Sequence, residues 1–295
     1  MTPLDASENV IQKVFFSTNK LPENSLHDHL MGAYISGADE IHIRFDPGEQ
    51  KSVSTQVRRF LRCTRGFEIM DEQPSNTHLK CLLNVGDMPL HASLNRMYLQ
   101  VTSLTRDILS VFEGGPKEYL EDAEERENEV DALLYLIERQ MRVLLDSHLV
   151  ATRLNLTRTQ AVEYSNLARS LERMMDHAYT IASLILEHPK LTKNMIDMAP
   201  LEQLPIWQAS LKELMINIRT RDSTRIEKAR FDLKEAQRRL TEHEQYVLEH
   251  HRLNEWMAFD LRLSESVRRL CAYARDFGEV LLNMKVFSVL QRTTP

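Results

Sequence analysis

The chain has 295 residues, of which 42% are apolar and only 8 are glycine, and its formal net charge is −6. Scarce glycine with plentiful leucine, glutamate and arginine favours long helices over a turn-rich β architecture. The acidic balance without a basic block argues against direct nucleic-acid binding. The sequence holds no run of about 18 apolar residues and no basic-then-apolar leader, so we expect a cytoplasmic protein with neither a membrane span nor a signal peptide.

The first 88 residues have a sequence pattern typical of a small α/β domain. β-branched and aromatic runs predict four strands, at 10–16, 40–45, 67–72 and 78–84. Two segments of helical spacing lie between them, with Ser25 and Ser52 or Ser54 as expected N-caps. The order strand–helix–strand–helix–strand–strand predicts a sheet with one face covered by two helices, a domain spanning 1–88.

From Pro89 onward the pattern is helical throughout. Helices are predicted at 89–113, 117–148, 157–188, 200–220, 222–250 and 255–289. A shorter helix followed by two longer ones occurs twice, which indicates two copies of one unit. We therefore predict a mainly α protein: a small α/β domain, then two tandem antiparallel three-helix bundles at 89–190 and 191–295.

The helix predicted at 157–188 carries two acids one turn apart, Glu172 and Asp176, with His177 beside them. Both acids lie off the apolar stripe of their helix, and acids at this spacing repel each other unless a cation is near. Arginines three residues away offer one such cation, since Arg169 can pair with Glu172 and Arg173 with Asp176. Taken alone, this stretch is typical of a solvated helix face.

The preceding helix repeats the spacing with Glu127 and Asp131. The midpoint in sequence of Glu127 and Asp176 equals that of Asp131 and Glu172, and it falls in the predicted turn at 149–156. Antiparallel neighbours should therefore bring all four carboxylates to one height, which would raise their pKa values by mutual repulsion. Oxygen ligands with a nearby imidazole suit iron, manganese, zinc or magnesium. Metal and arginine both remain open as the neutralising charge.

These same residues carry a family resemblance. The segments "LERMMDHAYTIA" (171–182) and "ENEVDALLYLI" (127–137) resemble the acidic helix signatures of the phosphate-uptake-regulator (PhoU) family. The resemblance implies two tandem three-helix bundles with a metal site in the first. It assigns as ligands Glu127, Asp131, Glu172 and Asp176, with His177 where the family often has histidine. Iron or zinc is the implied metal, with magnesium or manganese as alternatives.

The region before the bundles is similar to archaeal-type PhoU proteins over 24–98, through "GAYISGADEIHI" (32–43), "GFEIMDE" (66–72) and "LNRMYLQV" (94–101). Such proteins often begin with an AbrB-type DNA-binding domain. This chain starts too late to contain one, so direct DNA binding is not expected. The α/β domain is expected to serve docking or dimerisation.

The second bundle departs from the family pattern. Aligning "VRRLCAYARDFGEV" (267–280) with the signature places Arg268 at the Glu172 position and Ala272 at the Asp176 position. An arginine would repel a cation but could neutralise a remaining acid directly. We therefore predict a degenerate second repeat without a metal cluster.

The resemblance implies a negative regulator of phosphate uptake and phosphate homeostasis. It would act by contact with the phosphate ABC transporter or a signalling protein, reach the membrane only through that partner, and form a homodimer. The sequence shows no motif for phosphate-loop or serine-hydrolase chemistry, so no enzymatic activity is expected. Two rivals stay open: a metal-free adaptor or transcription-linked regulator whose acids form only salt bridges, and a metal-dependent enzyme with a carboxylate-bridged centre.

Overall fold

The structure is a computed structural model that describes residues 11–84, 86, 88–188, 198–250 and 255–290. It begins with the predicted order of strands and helices. The elements are β1 (Lys13–Ser17), α1 (Leu26–Ile35), β2 (Glu40–Arg44), α2 (Gln50–Cys63), β3 (Phe67–Gln73) and β4 (Asn76–Cys81). The sheet order is β1-β2-β4-β3; β1 runs parallel to β2, and β4 runs antiparallel to both of its neighbours. The prediction of a small α/β domain is confirmed in its elements.

Alternation along the strands divides the sheet into an apolar and a polar face. On β2, Ile41 and Ile43 are fully buried in a core shared with α1 and α2. Their neighbours Glu40, His42 and Arg44 point to the other face, because successive side chains of a strand alternate. Helix α1 contributes Leu30 and α2 contributes Phe60, both fully buried. Two helices therefore cover one face, and the opposite face carries the charged and imidazole side chains.

The rest of the described chain is helical. Its helices are α3 (Leu90–Phe112), α4 (Ala123–Asp146), α5 (His148–Leu154), α6 (Arg158–Glu187), α7 (Leu204–Thr220), α8 (Ser223–His250) and α9 (Glu255–Val289). The six predicted helices are present, most of them within two residues of their expected ends. The segment expected as a turn at 149–156 instead contains α5, which Ser147 caps by accepting a hydrogen bond from the Val150 amide at 3.3 Å. Among the described residues, no helix combines the length and the apolar character that a membrane crossing needs.

Two tandem three-helix bundles follow the sheet, α3–α4–α6 and α7–α8–α9. In the first, Glu129 on α4 contacts Arg96 and Gln100 on α3. In the second, Gln237 and Glu244 on α8 contact Arg275 and Arg268 on α9. The earlier residue of α8 thus contacts the later residue of α9, and the later residue of α8 contacts the earlier one. The two helices are therefore antiparallel. The predicted fold class is confirmed.

The apolar stripes read from the sequence form the bundle cores. On α6, six apolar residues that recur at helical spacing are all fully buried: Leu167, Leu171, Met174, Ala178, Ile181 and Ile185. The same holds for α8, where Ile226, Leu233, Leu240 and Val247 are at most 1% exposed. A stripe recurring every three to four residues fixes which face of a helix packs inward. The acids flanking that stripe on α6 are consequently left at its edge.

The chain divides into two compact units, one made of 1–93 with 131–165 and the other of 94–130 with 166–295. Within the first, Arg139 of α4 donates from Nη1 to the carbonyl oxygen of Tyr34 at 2.9 Å. Gln140 likewise donates from Nε2 to the carbonyl oxygen of Met88 at 2.9 Å. These contacts explain why the second half of α4 groups with the α/β elements. The division at 1–88, 89–190 and 191–295 stays a prediction.

Candidate metal centre

Three of the predicted acids come together. One carboxylate oxygen each of Glu127, Asp131 and Asp176 lies within 4.8 Å of the others. Glu127 and Asp131 are one turn apart on the continuous helix α4, and Asp176 belongs to α6. This is the grouping expected from their mirrored positions about the turn between the two helices. Glu172, one turn before Asp176, lies outside this three-residue group.

The acids sit at the edge of the core rather than inside it. All three are half-buried, whereas the neighbouring Val130 and Met175 are fully buried. Partial burial removes water from the Asp176 carboxyl and raises its pKa, against a lowering influence of Arg173. Carboxylates that have lost water and repel one another are stabilised by a bound cation. The donor set is all oxygen, which suits magnesium, manganese, iron or zinc.

Arginine also approaches the site, as the competing interpretation expects. Arg173 lies with Nη1 3.9 Å from Asp176 Oδ2 and with Nε 3.7 Å from Glu172 Oε2. Its side chain is 58% exposed. Long contacts made by an exposed arginine contribute at most about 1 kcal/mol each. Arg173 therefore compensates the charge of Asp176 only weakly.

His177 faces another part of its unit. Its ring stacks on that of Tyr273 in α9, with centroids 5.8 Å apart and planes 20° apart. Burial lowers the pKa of His177, and the charge of Arg269 lowers it further. The adjacent position on a helix points about 100° away from Asp176, so the two side chains serve different surroundings. His177 is outside the acid grouping.

The corresponding place in the second bundle holds an ion pair. Arg268 donates from Nε to Glu244 Oε1 at 3.0 Å, and Ser264 donates from Oγ to the same oxygen at 3.2 Å. Among the described residues 198–250 and 255–290, no three Asp, Glu, His or Cys side chains bring ligand atoms within 4.8 Å of one another. The sequence comparison placed Arg268 there but did not identify Glu244 as its partner. Pairing α8 with α9 in an antiparallel register would have indicated that Glu244 lies near Arg268.

A second grouping was not expected from the sequence. Ligand atoms of Glu40, His42 and His78 also lie within 4.8 Å of one another. All three come from neighbouring strands of the sheet. The alternation "EIHI" places Glu40 and His42 on one face, but bringing His78 beside them requires the pairing of β2 with β4.

Comparisons with known proteins place the fold. Residues 94–185 match the family model described as "PhoU domain". The crystal structure of PhoU from Pseudomonas aeruginosa resembles this chain with a TM-score of 0.51 at 15% identity, covering 67% of this chain and 96% of that one. No curated protein matches the sequence. The resemblance to the PhoU family is thereby confirmed, and the matched segment contains every predicted ligand from Glu127 to His177.

Proposed function

We propose that this chain, whose residues 94–185 match the PhoU domain model, restrains phosphate uptake and contributes to phosphate homeostasis by protein contact. The observation that carries this proposal is the position of the acid grouping inside the matched segment. Its partner would be a component of the phosphate ABC transporter or a signalling protein, engaged by a homodimer. Regulation by contact requires no catalytic step, and we assign none.

The proposed metal site consists of Glu127, Asp131 and Asp176. Glu172 can join after a change of side-chain rotamer, since it lies one turn from Asp176 on the same helix face. The donors present fit a hard or borderline cation, which would neutralise carboxylates that otherwise repel. Iron or zinc is proposed first, with magnesium and manganese as alternatives. His177 is kept as a flanking residue whose ring orientation depends on Tyr273.

Metal analysis tests the site. Wild-type protein and the Asp131→Asn/Asp176→Asn variant are purified side by side, and bound metals are quantified by mass spectrometry. The control is Glu124→Gln/Glu125→Gln, which removes the same charge from exposed positions of α4. We expect the site variant to bind less metal per chain than the wild type and the control. Equal metal content in all three proteins would remove the proposed site.

Phosphate uptake tests the role in regulation. The gene is deleted in its host, and uptake of labelled phosphate is measured in phosphate-rich medium. We expect faster uptake without the protein, and restoration on re-expression of the wild-type chain. Uptake unaffected by the deletion would contradict the proposal. Sedimentation of the purified protein measures whether it is a homodimer.

A metal-free adaptor is the second candidate, favoured by the approach of Arg173 to both Glu172 and Asp176. In that case salt bridges of this kind, together with solvent, compensate the charges of the acids. Thermal unfolding with and without a chelator separates the two. A melting temperature indifferent to chelator, in protein purified without added metal, would support the adaptor without a metal.

A further inference from the structure

The open face of the sheet carries a cluster that the proposed phosphate regulation does not use. In the pairing of β2 with β4, His42 lies directly opposite His78, and Glu40 lies opposite Lys80. Glu40 and His42 are two residues apart on one strand, so they share a face. The face is the one turned away from α1 and α2. Two imidazoles and one carboxylate are thus fixed side by side on rigid strands within one compact unit.

The distances in this cluster are those of metal ligands rather than of hydrogen bonds. Nε2 of His42 is 3.7 Å from Glu40 Oε2, and Nε2 of His78 is 3.8 Å from the same oxygen. Zinc ligands at roughly 2.0–2.1 Å in a tetrahedron are about 3.3–3.4 Å from one another. The observed separations exceed these by less than half an ångström, a difference that side-chain rotation can remove. They are too long for a direct hydrogen bond.

The two imidazoles stack on each other. The rings of His42 and His78 are parallel within 7°, with centroids 4.2 Å apart. Phe15 stacks on the other side of His42 at 4.8 Å. Both Nε2 atoms lie within 3.8 Å of Glu40 Oε2. Because the lone pair of an imidazole nitrogen lies in the plane of its ring, one bound ion requires these parallel rings to tilt apart. Among the described residues, Nε2 of His78 is buried and has no hydrogen-bond partner, so the structure otherwise gives this atom no polar role.

Two lysines hold the carboxylate at present. Lys13 Nζ is 2.7 Å from Glu40 Oε2, and Lys80 Nζ is 3.4 Å from Oε1. The two lysine side chains are 45% and 40% exposed, whereas that of Glu40 is only 8% exposed. Lys13 therefore competes for the oxygen that the histidines face, and it can swing into solvent at little cost. Lys80 contacts the other oxygen and can remain there when a cation binds.

We propose that Glu40, His42 and His78 form a second metal site, selective for zinc and separate from the carboxylate grouping of the first bundle. Two histidines and one glutamate make a known zinc ligand set that leaves a fourth position for water. Imidazole donors also distinguish this site from the all-oxygen grouping, which accepts harder cations. Zinc would bridge β2 and β4 on the exposed side of the sheet and displace Lys13 from Glu40.

The test isolates this site from the other. The full chain carrying Asp131→Asn/Asp176→Asn is titrated with zinc by calorimetry, and with cobalt(II) as a spectroscopic substitute. Into this background are added, one at a time, His42→Gln, His78→Gln, Lys13→Ala and the exposed control His148→Gln. Circular dichroism and thermal unfolding verify that each variant is folded. Because the bundle acids are already replaced, loss of binding here is distinguishable from failure of the proposed bundle site.

We expect one zinc per chain, and intense visible cobalt bands typical of a tetrahedral site. His42→Gln and His78→Gln should each weaken zinc binding at least about tenfold, as loss of one ligand does, while His148→Gln leaves it unchanged. Lys13→Ala should tighten it severalfold by removing the competing ammonium. Zinc affinity unchanged in either ligand variant would overturn the proposal. If the ligand variants fail to fold, Lys13→Ala decides alone: raised affinity supports the site and unchanged affinity overturns it.

Discussion

Arg268 Nε on α9 lies 3.0 Å from Oε1 of Glu244 on α8, and the sequence alignment of the two repeats gives Arg268 the position of Glu172. The second bundle therefore neutralises its acid with an arginine from the neighbouring helix. The first bundle gathers Glu127, Asp131 and Asp176, and the exposed Arg173 approaches Asp176. The two bundles therefore differ in the charged groups that surround these acids.

Removing Arg268 should destabilise the protein, because Glu244 would lose the charge that neutralises it. Arg268→Met leaves Glu244 with the Ser264 hydroxyl as its hydrogen-bond donor in this contact. We expect the free energy of unfolding to fall by about 1–3 kcal/mol, since the carboxylate is largely buried. Urea denaturation measures this. Arg269→Met, which breaks an exposed pair with Glu265, is the control and should cost under about 1 kcal/mol. An equal loss in both variants would contradict the interpretation.

Neutralising one acid of the first bundle should stabilise the metal-free protein. Asp176→Asn removes a carboxylate that shares its surroundings with Glu127 and Asp131. We expect the free energy of unfolding in a chelator at low salt to rise by about 0.5–1 kcal/mol, because repulsion is relieved. Glu124→Gln, an exposed change on α4, should lack this effect. A less stable Asp176→Asn protein under these conditions would show that the acids do not repel.

Tyr34 should make the protein sensitive to alkali. Burial raises the pKa of its hydroxyl to about 12, from the usual tyrosine value of about 10. The unfolded chain loses this proton first, so between pH 10 and 12 it binds fewer protons than the folded chain. Stability is therefore fully present below pH 10 and falls as pH rises, by up to about 2–3 kcal/mol from this group.

Tyr34→Phe tests that contribution. The variant loses the hydrogen bond from the hydroxyl to the Arg65 carbonyl oxygen, which should cost about 1 kcal/mol at pH 8. Between pH 10 and 12 its stability should decline less steeply than that of the wild type, as measured by urea denaturation. The exposed Tyr119→Phe is the control. A decline parallel to the wild type would show that Tyr34 does not cause the sensitivity.

Cys271 should be the slowest thiol to react. It is fully buried, and burial raises its pKa to about 12, whereas Cys63 and Cys81 are partly exposed. Because the thiolate is the reactive form, iodoacetamide at pH 8 should modify Cys271 at least about tenfold more slowly than Cys63. Peptide mass spectrometry over time measures both rates. Equal rates in the native protein would contradict the burial of Cys271.

Arg139 should be important for the first unit. Its side chain is 1% exposed and lies over the rings of Tyr34 and Phe67, while Nη2 is 3.3 Å from Asp39 Oδ1. Arg139→Met should lower the free energy of unfolding by about 1–3 kcal/mol, because methionine cannot replace the hydrogen bond that Arg139 donates to the Tyr34 carbonyl oxygen. The exposed Arg142→Met on the same helix is the control and should change it by under about 0.5 kcal/mol. Similar values for both would contradict a structural role for Arg139.

Much of the bundle site could be predicted from local patterns. The spacing of Glu127 and Asp131 fixes them on one helix face, and a short connection forces the next helix to return antiparallel. Symmetry about that connection then brings Asp176 to the same height. Local patterns could not predict that Glu172 lies outside the grouping. Nor could they predict that the ring of His177 stacks on Tyr273. Rotamers and ring contacts depend on α9, which lies about a hundred residues away along the chain.

The sequence by itself determined the helices, their buried stripes and the acids at the stripe edges, because the helical period is local and relates residues three or four apart. It also determined that the second bundle has Arg268 where the first has Glu172. Only the tertiary structure decided that Glu244 is the partner of Arg268, and that His78 joins Glu40 and His42. Strand register and helix pairing are non-local: a shift of one residue in β4 would turn His78 to the opposite face of the sheet.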